Sequence, residues 1–231
     1  MTDSSERGTA GQTNEVALSN GRLLAWSALI AATTLLNFGS AAFVEVPEDR
    51  IYRYQTAVTT LLQFGTLLAV VLLIARPGGL RDVLALRRPS SWKRAAAIGA
   101  LVAVGSLVVL VMLDPLLEAG EAQRLAAGWD PARALAFAVN AALIILVGPV
   151  VEELTFRGLG FTLLERFGHG WAIALTAASF ALGHGLIALL PASAVFGAGL
   201  AYLRSRTCSV YPGIVLHVVF NALGVAGSTL R

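Results

Sequence analysis

Apolar residues come in long blocks separated by short clusters of charge, and this block pattern dominates the chain. An α-helix needs roughly 20 apolar residues to cross the hydrocarbon core of a bilayer. Blocks 23–44, 54–75 and 95–113 meet that length, as do 134–151, which is at the short end with room to continue through Gly158, and 171–190. Blocks 192–203 and 211–227 are shorter and need the shelter of neighbouring helices. A further short helix is predicted over 156–167. The pattern predicts an all-α fold, a polytopic transmembrane helical bundle of about seven to eight membrane helices. Residues 1–21 are polar and lack an apolar core, so they are predicted to form a disordered cytoplasmic tail ahead of a single transmembrane domain over 22–231. The first block is too long for the apolar region of a signal peptide and lacks a small-residue cleavage site, so it is expected to stay as a membrane helix.

Composition agrees with the blocks. The 231 residues are 56% hydrophobic and 13% charged, against about 45–50% and about 25% in soluble domains. Charge then sets the expected topology. Between Arg76 and Arg94 stand Arg76, Arg81, Arg87, Arg88, Lys93 and Arg94 against the single acid Asp82, which makes this loop cytoplasmic by the positive-inside rule. The loop before it carries Glu45, Glu48 and Asp49 against Arg50 and Arg53, and the one after the third block carries Asp114, Glu118, Glu121 and Asp130 opposite Arg124 and Arg133. Both are expected outside, which puts the amino terminus in the cytoplasm, the carboxyl terminus outside, and the protein in the cell (plasma) membrane. Within the basic loop, Leu80, Val83, Leu84 and Leu86 alternate with charge, in keeping with a short amphipathic segment on the membrane surface or a solvated connector. Lipid is the expected surrounding partner and nucleic acid is not. One cysteine, Cys208, excludes an intramolecular disulfide.

Chemistry is carried by the few polar groups inside the blocks. Glu152 and Glu153 end the block 134–151, and Arg157 follows four residues after Glu153. At helical spacing Glu153 and Arg157 share a face and can pair. Glu152 points about 100° away, without the arginine, and is free to act as a base on water. Capping of a helix end at the membrane boundary is the bland alternative for both acids. His184 lies deep in block 171–190, one turn after Phe180 and between Gly183 and Gly185, and an ionisable group at that depth is a functional candidate. Phe180 is expected as a wall of the substrate cavity. His217 and Asn221 are again four apart, so their donors can converge on one acceptor, as an oxyanion needs; a metal on His217, or mutual hydrogen bonding, would use the same pair. Glu152 stands near the cytoplasmic end of a short block and His184 deeper. The two can meet only if that helix runs on past Gly158 or tilts.

Glu-Glu-x-x-x-Arg at 152–157, Phe-x-x-x-His at 180–184 and His-x-x-x-Asn at 217–221 resemble the three motifs of the CPBP family of intramembrane proteases. That family includes CAAX prenyl endopeptidases and the bacterial Abi proteins linked to bacteriocin processing or immunity. The resemblance covers 131–227, the expected catalytic core, and the amino-terminal half matches only in hydropathy. It implies an endopeptidase that hydrolyses a peptide bond of a membrane-associated or lipid-modified hydrophobic peptide with activated water. Glu152 and His184 would then activate the water, His217 and Asn221 would stabilise the oxyanion, and Arg157 would hold Glu153. Some members are named metalloproteases, and Glu152, His184 and His217 would be the ligands of a zinc or other divalent metal. The chain has no His-Glu-x-x-His, and metal-independent chemistry with no cofactor is the preferred expectation.

Two other classes compete. A non-catalytic membrane adaptor or bacteriocin-immunity protein would bind a peptide without cutting it, but has no need of the full Glu152, His184, His217 and Asn221 set. A small proton-coupled transporter would use the same buried groups as an ion path, but the blocks show no internal repeat of the kind many transporters carry. The sequence sets no oligomeric state. Ser193, Gly197 and Ala201, four apart, predict a close helix contact.

Overall fold

A computed structural model describes residues 3–45, 47–117 and 129–229; side chains of 3–19 and of residues 114 and 229 are outside the description, as are Glu118, Glu121 and Arg124 of the acidic loop. The described residues are helical, with no strand among them. In chain order the helices are α1 (Asp3–Phe43), α2 (Tyr54–Ala75), the short α3 (Leu80–Val83), α4 (Trp92–Leu117), α5 (Pro131–Phe167), α6 (His169–Gly183), α7 (Leu190–Thr207) and α8 (Tyr211–Thr229). α1 reaches back through the polar residues expected to form a tail, and its apolar part starts at Asn20.

Six helices among the described residues are long and apolar enough to cross a membrane, namely all but α3 and α6. The chain is thus a multi-pass integral membrane protein. Two boundaries differ from the block pattern. Block 134–151 and the short helix at 156–167 are one continuous α5 of 37 residues, because no glycine–proline punctuation separates them. Block 171–190 is broken instead: α6 is 15 residues long, about 22 Å at the helical rise. It stops at Gly183, Gly185 adopts φ +68°, and Pro191 opens α7.

Burial separates outer from central helices. Only 11% of the apolar window of α1 and of α2 is buried within the protein, against 39% for α5 and α7. The core lies where Phe156, Leu159 and Phe161 of α5 meet Phe180 of α6 and Phe196 and Leu200 of α7. The predicted small-residue contact is present. A Cβ on Gly197 would stand 3.0 Å from the Phe180 ring and 3.3 Å from Ala177 Cα, so α6 and α7 approach closely there.

The two ends of the bundle differ in charge. At one end the basic loop is tucked into the core: Val83, Leu84 and Ala85 are buried. Leu84 packs on Gly158, Ala85 O accepts from Val210 N, and Arg87 Nε donates to Cys208 O. The loop is thus anchored through Val83, Leu84 and Ala85, while Leu80, Arg81, Asp82, Arg87 and Arg88 stay exposed. Arg166 joins the same end by donating to Asn20 at the start of the apolar part of α1. At the other end Arg133 pairs with Asp49 and Asp130, and Arg53 with Asp49. Hydrogen bonds from Arg53 and then Arg133 hold the Asp49 carboxyl below its usual range, and Arg133 does the same to Asp130.

Candidate active site

The acid pair occupies a single α-helical stretch, Gly148–Glu153, flanked within α5 by two π-helical turns, Leu143–Val147 and Leu154–Gly160. Such turns widen the helix and release carbonyls, and they are frequent at functional sites. The first follows from sequence. Gly148 N–H reaches back five residues to Leu143 O, and Pro149 has no N–H to give. Ile144 O is thereby released, and Asn221 Nδ2 donates to it at 2.9 Å. In the second turn Phe161 N–H bonds Phe156 O and Gly158 O rather than Arg157 O. Arg204 Nε takes up Arg157 O at 3.1 Å, and Trp26 Nε1 donates to Thr155 O at 3.0 Å. Ile144 O and Arg157 O are thus each met by a side chain of another helix, as a lipid-embedded backbone requires.

Because α5 runs on past Gly158 to Phe167, Glu152 is not at the end of a span. The two acids have different surroundings. Glu153 is fully buried; its Oε1 accepts from Arg157 at 2.9 Å and from His217 Nδ1 at 3.1 Å. Arg157, also fully buried, donates to Gly197 O at 2.9 Å and lies over the Phe180 ring, 4.4 Å from its centroid. Glu152 is 21% exposed, with Oε2 3.6 Å from His217 Nε2, beyond hydrogen-bond length. His217 thus stands between the two carboxylates, one ring nitrogen toward each.

His184 caps the end of α6, and its Nδ1 lies 2.8 Å from Phe180 O. A carbonyl can only accept, so Nδ1 carries the proton there, and Nε2 is the ring's outward nitrogen. Phe180 joins the two imidazoles, its centroid 4.7 Å from that of His184 and 5.6 Å from that of His217. At 1% exposure it is a buried partition between them. One donor of each of His217 and Asn221 is already committed: His217 Nδ1 addresses Glu153 and Asn221 Nδ2 gives one hydrogen to Ile144 O.

Gly213 was not singled out by the sequence, yet it shapes this site. Glu153 Oε2, buried and without a hydrogen-bond donor, lies 2.7 Å from where a Cβ on Gly213 would stand. We expect Gly213→Ala to lower stability by about 1–3 kcal/mol, the usual cost of overpacking, measured as the thermal unfolding midpoint in detergent. An unchanged midpoint would count against this contact.

Among the described residues no three His, Cys, Asp or Glu side chains are grouped to hold an ion. Glu152, Glu153 and His217 are neighbours, but the two nitrogens of one imidazole diverge, so the carboxylates on either side of His217 cannot share an ion with it.

Residues 134–223 match the family model of type II CAAX prenyl endopeptidase Rce1-like proteins. No curated protein and no solved structure matches the chain. The matched stretch contains Glu152, Glu153, Arg157, Phe180, His184, His217 and Asn221 and leaves α1 to α4 outside it. Over this segment the chain is similar to the type II CAAX prenyl endopeptidase family.

Proposed function

We propose that the protein is an intramembrane endopeptidase that hydrolyses a peptide bond of a membrane-associated or lipid-modified peptide, with Glu152 as the base that activates water and 131–227 as its catalytic core. The observation that carries this reading is the division of the acid pair. Glu153 is sealed and committed to Arg157 and His217, whereas Glu152 is partly exposed and makes no hydrogen bond to His217. A carboxylate so released can take a proton from water. His184, with Nδ1–H held by Phe180 O, offers the Nε2 lone pair as a second contact that orients that water.

The water oxygen attacks the peptide carbonyl carbon, one water proton passes to Glu152, and the carbonyl oxygen becomes an oxyanion. Collapse of the tetrahedral intermediate breaks the C–N bond, and the proton held by Glu152 passes to the leaving amine. Oxyanion stabilisation falls to His217 and Asn221. With Nδ1–H given to Glu153, His217 can donate from Nε2 only as an imidazolium. Asn221 keeps a second amide hydrogen beyond the one given to Ile144 O.

The basic end of the bundle is assigned to the cytoplasm by the positive-inside rule. α8 begins at that end, beside Ala85, so the carboxyl terminus falls outside the cell membrane. A phosphatase fused to the carboxyl terminus should be active on the external side; activity only in the cytoplasm would reverse the assignment. The endopeptidase reading is tested by comparative peptidomics of membranes from cells carrying wild-type or Glu152→Gln protein. Peptide pairs flanking a common cut should occur with the wild type alone, and identical inventories would sink the reading.

A further inference from the structure

α6 ends inside the bundle, and the carbonyls of its last turn need partners there. Ala181 O and Leu182 O accept from His184 N and Gly185 N of the same turn. Gly183 O, the carbonyl immediately before His184, accepts instead from Asn37 Nδ2 of α1 at 2.6 Å, across 146 positions of sequence. Asn37 Oδ1 in turn accepts from Gln63 Nε2 of α2 at 3.2 Å, which fixes which end of the Asn37 amide faces α6. Gly185 is also moulded to this side chain. It sits at φ +68°, and a Cβ there would meet Asn37 C at 2.7 Å and Asn37 Cβ at 2.8 Å. Asn37 and Gln63 are amides within the membrane-spanning stretches of α1 and α2; Gln63 lies about 14 Å along α2 from Tyr54. Polar side chains at such depth are costly and are kept where they have a partner.

We propose that Asn37, oriented by Gln63, is a positioning residue for His184: it anchors the last carbonyl of α6 and thereby holds the His184 ring with Nδ1–H on Phe180 O and Nε2 outward. Both amides lie outside the stretch matched by the family model. The inference rests on the reading of His184 as a participant in the proposed hydrolysis. Its geometric content is independent of turnover. Without the Asn37 amide, Gly183 O has no donor, the end of α6 can rotate to find one, and the ring leaves Phe180 O.

Histidine-selective ¹⁵N NMR of the full chain in lipid nanodiscs tests this, since the chain has three histidines. Signals are assigned by loss in His184→Gln. In the wild type the two His184 nitrogens should give one protonated and one bare resonance. In Asn37→Leu their separation should be lost through averaging, with His169 and His217 unmoved. Gln63→Leu should reduce the separation part-way, and it decides the matter alone if Asn37→Leu does not fold. A folded Asn37→Leu protein with wild-type His184 resonances, or an unchanged Gln63→Leu spectrum when it is the only folded variant, would overturn the positioning. Because no turnover is read, failure of the endopeptidase reading appears in the peptidomics and not here.

Discussion

Glu152→Gln should reduce turnover of any peptide identified as a substrate by about 10²–10⁴-fold, the usual worth of a positioned general base, with little change in thermal unfolding. The amide keeps the volume of the acid and loses its ability to take a proton from water. Its structural cost is small because Glu152 is partly exposed and stands 3.6 Å from His217 Nε2, without a hydrogen bond to lose. Initial rates and unfolding midpoints of detergent-purified variants measure both quantities. Wild-type turnover in Glu152→Gln would remove Glu152 from the chemistry, and a large fall in midpoint would give it a structural role instead.

Glu153→Gln should act the other way round. Its carboxylate is fully buried and compensates both the Arg157 guanidinium and the His217 imidazole. Breaking a buried ion pair by removing one partner typically costs about 3–5 kcal/mol, because the remaining charge is left uncompensated. The variant should fold in low yield with a much lower midpoint, and whatever folds should cut poorly because His217 is no longer held. The double variant Glu153→Gln/Arg157→Met should recover part of that stability, since it removes the stranded cation; the coupling is read as a double-mutant cycle. Strict additivity, or a single variant as stable as the wild type, would show that the pair does not act as one unit.

These opposite outcomes rest on neighbouring residues of one helix, and helical spacing alone anticipated the division. Glu153 and Arg157 are four apart, so local geometry pairs them wherever the helix sits in the fold. Block lengths were equally local and announced a membrane bundle, and the Gly197 stripe announced a close helix contact. Local rules failed where continuity mattered. Hydropathy alone separated residues 134–151 from 156–167, although α5 carries both; it also joined 171 to 190 although α6 stops at Gly183. An apolar tally does not register the conformational freedom of Gly185 that ends that span.

What only the tertiary structure decided is which partner each polar group receives. His217 and Glu153 are 64 positions apart, Asn221 and Ile144 77, and Asn37 and Gly183 146. None of these separations has a helical period to reveal it. The need behind one of them was in the sequence, since Pro149 cannot donate to the carbonyls before it; that Asn221 answers that need is a property of how α8 packs on α5. The sequence by itself determined the helices, the buried charges and the pairing of Glu153 with Arg157, because those depend on hydropathy and a 3.6-residue turn. Packing determined that His217 stands between the two carboxylates and that Asn37 holds the end of α6. In a bilayer every released carbonyl and buried charge must find its partner inside the bundle, and only the folded bundle brings them together.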